Sequence, residues 1–422
     1  MTGTIHQYVD ADRLRTDIER TAEYGTISDV EGNGRTVLTG TEENKRAREY
    51  FVDRLEDAGL DVRVDGVGNI AGRWVPASAE RTTPAVATGS HLDSVPEGGI
   101  FDGVLGVYGA LEAVRALQEA DVDLERPIDV VCFTEEEGAR FSDGVLGSSV
   151  ASEQRTVDEA RSMADDDGVT LGEALEEIGF SGEGRIDASG WDSWLELHVE
   201  QSERLEDAGV PVGIVTSITG TVRCQIEIAG EANHSGCTAM DDRRDALAAA
   251  SEIVLDVEAA TEEAVDEHGE TVVGTVGKLD VAPNAINVVP GRVELGVDVR
   301  DVESEPMERI VGDIRESLSR IEDERDVVTT FERPYNIEPI AMTDRCLDAL
   351  RTGAADSDIE TLDLHSGAGH DTMHIAKVTD AGMLFAPSRG GISHSPREWT
   401  DWDNCAEATQ VLAAGLADLA AE

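Results

Sequence analysis

Five side chains of the kinds that hold metal ions are spread over most of a 422-residue chain: His91, Asp102, Glu137, His198 and His394. His91 and Asp102 stand in GSHLDSVPEGGIFDGVLG (89–106), among glycines rather than on a solvated helix. Glu137 closes the glutamate run of FTEEEGARF (133–141), His198 lies in LELHVEQ (195–201), and His394 in PSRGGISHSPRE (387–398). Mixed imidazole and carboxylate donors suit zinc, manganese, cobalt or nickel better than calcium or magnesium. Asp102 is flanked by small or flexible residues, so its two oxygens could bridge two ions. The His-x-Asp spacing would let the Asp93 carboxylate accept the second ring N–H of His91. In the glutamate run, one residue can ligate while its neighbour takes a proton from an attacking water and passes it to a leaving nitrogen. We assign Glu136 as that base and Glu137 as the ligand. A single histidine would read more simply as a satisfied core or surface group; several at predicted strand ends do not.

Those strand ends come from the apolar pattern. PAVATGSHLD (84–93), PIDVVCFTEEEG (127–138), SWLELHVEQ (193–201) and AGMLFAPS (381–388) are nearly unbroken apolar runs, while 11–24, 42–58 and 103–120 show helical spacing. Continuous apolar strands alternating with helices predict an α/β domain with a mostly parallel sheet covered on both faces. In such sheets function collects beyond the carboxyl ends of the strands. The texture changes in VTSITGTVRCQIEIAGE (215–231), which alternates as a half-wet antiparallel strand would. A helix (244–267), two alternating strands (271–301), a helix (305–321) and a strand (326–334) follow. This β-α-β-β-α-β order predicts an inserted α+β, ferredoxin-like unit. The expected organisation is a catalytic domain in two parts, 1–214 and 333–422, around an insert, 215–332.

Asp and Glu number 88 against 34 Lys and Arg, a formal charge of −54. Such a chain repels nucleic-acid phosphates and anionic lipid surfaces, so neither is expected as a partner. The acid is spread along the whole length, and runs such as EEAVDEHGE (262–270) and EDERD (322–326) read as solvated helix faces. An excess of this kind suits a salt-rich interior, where ions screen the self-repulsion. Five scattered cysteines without a C-x-x-C read as reduced, and the N-terminus lacks the basic and apolar stretches of a secretory signal. No apolar run reaches membrane-spanning length. The expected location is the cytoplasm.

The stretches quoted above, with ANHSGCTAMDDRRDAL (232–247), PNAINVVPG (283–291), DVR (298–300) and SGAGHD (366–371), resemble the M20 metallopeptidase-like amidases. Within them they resemble the amidase, hydantoinase and carbamoylase branch: N-carbamoyl-L-amino acid hydrolases, allantoate amidohydrolases and β-ureidopropionases. The motifs run in collinear order from about residue 15 to 420. The resemblance implies two divalent ions, zinc or manganese, with His91, Asp102 and His198 on one and Asp102, Glu137 and His394 on the other. It implies that the insert is a lid and dimerisation module whose His234 steadies an oxyanion. Asn287 and Arg300 would hold a substrate carboxylate, Gln201 a ureido group, and Gly369 would approach the substrate through its backbone.

Ser202 stands where the branch usually has Gly, and HSGCTAM replaces HAGTTPM. His370 reads as structural or as standing behind the ligands. His374, at a helical spacing from it, reads as non-catalytic with His365, His268 and His6. The implied reaction cleaves the carbamoyl C–N bond of an N-carbamoyl-L-amino acid, with allantoate or a β-ureido acid as alternative substrates. A dipeptidase is disfavoured by His198, where many peptidase relatives carry a carboxylate. A catalytically silent metal-binding protein is disfavoured by the retained Glu136.

Overall fold

The unbroken apolar runs become the centre of one sheet. The computed structural model describes residues 5–28 and 30–421. In it Ile128–Phe133, Val86–His91, Ser193–Val199 and Asp380–Ala386 lie side by side in that order, all parallel. Every residue of the first three is buried. Both faces are covered, which is why these strands show no alternation. Helices Val104–Ala120 and Trp402–Ala420 pack on them and on each other. Parallel order marks this centre. The central sheet is thus largely parallel at its core as expected, with Asp61–Val64 and Ile70–Trp74 on one side and Val212–Ile218 on the other pairing antiparallel at its flanks. Two short strands joined only by the Asp65–Asn69 turn have no length of chain for a parallel crossover.

The chain divides into two compact units, Met1–Thr216 with Met342–Glu422, and Ser217–Ala341. The second has the order strand Gly220–Ala229, helix Ala246–His268, strands Val273–Ala282 and Arg292–Asp301, helix Ser304–Arg325 and strand Val328–Ile337. Its sheet places 328–337 beside 220–229, then 292–301, then 273–282, all antiparallel, a ferredoxin-like arrangement. Val222, Cys224, Ile226 and Ile228 alternate with more exposed residues and pack in one core with Ile253, Val257, Ile310 and Ile314 of the two helices. The last strand does not stop at residue 334 as its composition suggests. Glu332 pairs with Gln225 and Tyr335 with Arg223, so Arg333 and Pro334 bulge opposite Cys224 and the ladder resumes to Ile337. The bulge takes a residue without an N–H out of the ladder. The border expected at 332/333 therefore falls inside a strand.

Candidate metal centre and active site

The glycines of the 89–106 stretch are there because other groups need their space. Gly103 has φ +67°, and a Cβ on it would overlap the His91 ring. A Cβ on Gly99 would overlap the Glu398 carboxylate, and one on Gly106 the carbonyl of Leu197. Arg35, fully buried, ties the loop's two ends: Nη2 donates to the Leu92 carbonyl at 3.1 Å and Nε to that of Gly99 at 3.2 Å. Gly103→Ala is expected to cost about 1–3 kcal/mol in backbone strain alone and, by pushing the His91 ring aside, to lose bound metal. Metal content and the melting temperature of the purified variant check this; wild-type values for both would contradict it.

His91 ends strand Val86–His91, Glu137 follows strand Ile128–Phe133, His198 lies in Ser193–Val199, and His394 follows Asp380–Ala386. Asp102 precedes helix Val104–Ala120 and joins them. Its Oδ1 lies 3.4 Å from His91 Nε2 and 3.2 Å from His198 Nε2. Its Oδ2 lies 3.5 Å from His394 Nε2, which is 3.2 Å from Glu137 Oε2. His91, Asp102 and His198 thus form one group, and Asp102, Glu137 and His394 another, with donor atoms within 4.8 Å of one another in each. Glu136 Oε2 comes within 3.6 Å of His91 Nε2 but belongs to neither group. His394 adopts φ +51°, an uncommon conformation for a residue with a Cβ.

His91 Nδ1 meets the carbonyl of Asp93 at 3.1 Å, and His198 Nδ1 that of Val199 at 3.1 Å. Carbonyls only accept, so each Nδ1 carries a proton, and in the neutral ring the Nε2 lone pair faces Asp102. This corrects the expectation for Asp93. Its Oδ1 stays 3.7 Å from Nδ1, while Oδ2 accepts the Glu137 N–H at 3.1 Å. The chain turns after His91 so that the Asp93 carbonyl meets the ring, and the side chain braces the glutamate run instead.

The donor set fits divalent cations. His91 Nε2 is buried without a hydrogen-bond partner. Asp93, Asp102, Glu135, Glu196, Asp371 and Glu398 are all buried near it, against two buried guanidiniums, Arg35 and Arg48. Burial, reinforced by the Asp102 charge, pushes the Glu137 carboxyl up to about 8 and that of Glu398 to about 7. Burial raises Glu136 well above the carboxylate range, and the charges of Asp371 and Glu137 add to this against His91. Burial works against a charged His91, yet Glu136, Asp102 and Asp93 raise it well above the imidazole range. Protons thus take the place that cations would fill.

Residues 87–418 match peptidase family M20/M25/M40. The chain belongs to this family. Within it the chain falls in the amidase, hydantoinase and carbamoylase branch. It is 37% identical over 411 residues to an N-carbamoyl-L-amino-acid amidohydrolase of Paenarthrobacter aurescens, across 96% of this chain and 97% of that one. It is 36% identical to an allantoate amidohydrolase of Bacillus subtilis, across 91% of each. An amidase of the hydantoinase/carbamoylase family from Burkholderia multivorans superimposes with a TM-score of 0.90 at 34% identity, covering 98% of both chains. The protein is a hydrolase of C–N bonds other than peptide bonds.

Other residues of this M20-family chain gather around the two groups. Gln201 Nε2 donates to Asp102 Oδ2 at 3.2 Å and lies 3.2 Å from Ser393 Oγ. The His370 ring stands edge-on to His198, centroids 4.5 Å apart, with Nε2 2.9 Å from Ser366 Oγ. Burial and the neighbouring His198 push it well below the imidazole range. His370 and His374 do not share a helix, since the helix is only Thr372–Ile375 and His370 precedes it. His374 faces Gln154 and His365 faces Arg204. Gly369 is exposed beside Met373. Sequence reasoning passed over Arg35, Glu196, Asp371, Ser393 and Glu398. Asp371 is fully buried. Glu196 accepts from Ser90 Oγ and from Thr372 N and Oγ1.

Three residues assigned by resemblance lie in the second unit. A two-stranded ribbon sets His234 opposite Val288, next to Asn287. His234 Nδ1 accepts the Gly236 N–H at 3.0 Å, which leaves the ring proton on Nε2. Arg300 stands in strand Arg292–Asp301, and its Nε donates to Asp298 Oδ1 at 2.8 Å on the same strand face.

Proposed function

We propose that the protein hydrolyses the carbamoyl C–N bond of N-carbamoyl-L-amino acids, releasing amino acid, CO₂ and ammonia. One observation carries the reading: two donor groups share Asp102, and Glu136 reaches into their midst without belonging to either. Likeness to the Paenarthrobacter aurescens amidohydrolase supports the substrate class. Divalent zinc or manganese, with cobalt or nickel also compatible, would be held by His91, Asp102 and His198 and by Asp102, Glu137 and His394. Bound there, such ions polarise a carbonyl and acidify water.

The chain's own residues do the rest. Glu136 takes the proton of the attacking water and delivers it to the leaving nitrogen. His234, protonated at Nε2, donates to the developing oxyanion. Asn287 and Arg300 hold the substrate carboxylate, Gln201 orients the ureido group, and the Gly369 backbone flanks the substrate. Asp93 supports the ligand loop through its carbonyl and carboxylate. The ferredoxin-like unit acts as lid and homodimer contact, and the enzyme works in a salt-rich cytoplasm. Allantoate also carries a ureido group and a carboxylate, and the likeness to the Bacillus subtilis enzyme favours it as the second reading. Ammonia release from N-carbamoyl-L-amino acids, allantoate, β-ureidopropionate and dipeptides, with manganese or zinc in high salt, separates these. Turnover of dipeptides alone would overturn the proposal.

Arg300→Lys tests the carboxylate clamp. An exposed ion pair contributes about 0–1 kcal/mol, and its loss should leave catalysis unchanged. The Arg300 fork already meets Asp298 on its Nε side, an arrangement a lysine cannot reproduce while also gripping a carboxylate. KM for N-carbamoyl amino acids is expected to rise about 10- to 100-fold, matching about 1.5–3 kcal/mol for a charged hydrogen bond. Amidated substrates should be poor for both proteins and little worse for the variant. Equal behaviour of variant and wild type on both substrate types would remove Arg300 from the site.

A further inference from the structure

Asp102 is the residue both donor groups share, so the orientation of its carboxylate decides whether both exist. That orientation is held from elsewhere in the chain. Glu398 is 1% exposed. Its Oε1 accepts the backbone N–H of Phe101 at 2.9 Å and of Asp102 at 3.1 Å. Its Oε2 lies 3.1 Å from Ser393 Oγ, which is 2.6 Å from Asp102 Oδ2. A closed ring results: the Asp102 backbone, Glu398, Ser393 and the Asp102 carboxylate. Gly99 leaves room for the Glu398 side chain inside the ring. The loop that supplies Ser393 and Glu398 also carries His394, so one segment presents a donor and locks the shared carboxylate it faces.

We propose that Ser393 and Glu398 are positioning residues that fix the Asp102 carboxylate, so that Oδ1 faces His91 and His198 while Oδ2 faces His394 and Glu137. The proposal rests on reading Asp102 as a shared ligand, but not on the identity of the substrate. The ring acts on Oδ2, so its loss falls on the group containing Glu137 and His394. A serine hydroxyl has one proton, and the shorter contact directs it to Asp102. The contact with Glu398 therefore needs no negative charge. A glutamine at 398 would keep both N–H···O bonds and add an N–H toward Ser393 Oγ, while an alanine would remove them.

Mn²⁺ titration calorimetry, metal retained after dialysis, and kcat and KM separately provide the test, on full-length wild type, Ser393→Ala, Glu398→Ala and Glu398→Gln. Residues that orient metal ligands typically contribute 10- to 100-fold in affinity. Ser393→Ala and Glu398→Ala are expected to weaken one of two Mn²⁺ binding steps by about that factor. They should lower kcat with KM within about 3-fold of wild type, as expected of residues that act through the Asp102 carboxylate. Glu398→Gln should restore both. Should Glu398→Ala fail to fold, the loss in Ser393→Ala, which deletes one hydroxyl from a half-buried residue, decides. Two Mn²⁺ bound with wild-type affinity by Ser393→Ala, or a Glu398→Gln as damaged as Glu398→Ala, would overturn the proposal. A wild type that binds two ions yet cleaves no ureido substrate would sink the functional reading and leave this test standing.

Discussion

Glu136→Gln is expected to keep both ions and to lose turnover by about 10²–10⁴-fold, the usual contribution of a positioned general base. The amide has the shape of the carboxyl, so the pocket that buries Glu136 has no reason to rearrange. What it lacks is basicity. Glu136 stands in neither donor group, and its Oε2 approaches His91 Nε2 only to 3.6 Å. Glu137 offers the contrast: its Oε2 faces His394 at 3.2 Å and its N–H is held by Asp93. Glu137→Gln should therefore reduce metal content, and turnover with it. Metal analysis beside single-turnover ammonia release distinguishes the two variants. If Glu136→Gln is the one that loses an ion, the base and the ligand are exchanged.

In the sequence, the assignment of these neighbours rests on a run of glutamates that follows a buried strand. Much of the rest was legible for similar reasons. A parallel strand covered on both faces needs an unbroken apolar run, and its end shows where the acids and histidines begin. Unit boundaries were harder, because Pro334 looks like a strand terminator and becomes a bulge. The His-x-Asp spacing put Asp93 near His91 but could not say whether carbonyl or carboxylate would meet the ring. The four-residue spacing of His370 and His374 resembles a helix, yet the chain turns helical only at Thr372. Glu398 was invisible for a different reason. It is one acid among 88 Asp and Glu, and its main partners are the backbone N–H groups of Phe101 and Asp102, which no side-chain pattern records. Its trace was Gly99, a glycine that the turn itself does not explain but that a carboxylate packed against it does.

Metal-free protein is expected to lose thermal stability as pH rises from about 7 to about 8.5, and Mn²⁺-loaded protein is not. The folded state raises the Glu137 carboxyl to about 8 and the Glu398 carboxyl to about 7, from an ordinary 4.5. A raised carboxyl holds its proton more tightly folded than unfolded. Its stabilising contribution is complete below about 4.5 and disappears as pH climbs through the folded value. His91, also raised, acts with the same sign. His370 acts oppositely: burial lowers it, so the unfolded chain gains protons over the folded one only below about 6.5, and that effect is finished before the window opens. Surface carboxylates finish titrating well below pH 7, and high salt screens their repulsion. The window therefore reports mainly the buried cluster, to which the buried thiols of Cys132, Cys224, Cys346 and Cys405, raised from 9.0 by burial, add a smaller loss of the same sign near its top. Each tenfold gain in proton affinity on folding is worth about 1.4 kcal/mol, so the effect amounts to several kcal/mol shared among coupled groups. Divalent ions replace these protons, so the gain in melting temperature on adding Mn²⁺ should grow across the window. Calorimetry in buffers of different ionisation enthalpy should show protons released on binding. A gain that stays flat with pH would mean that the acids around Asp102 are already charge-balanced without metal. The case for a two-ion centre would then rest on geometry alone.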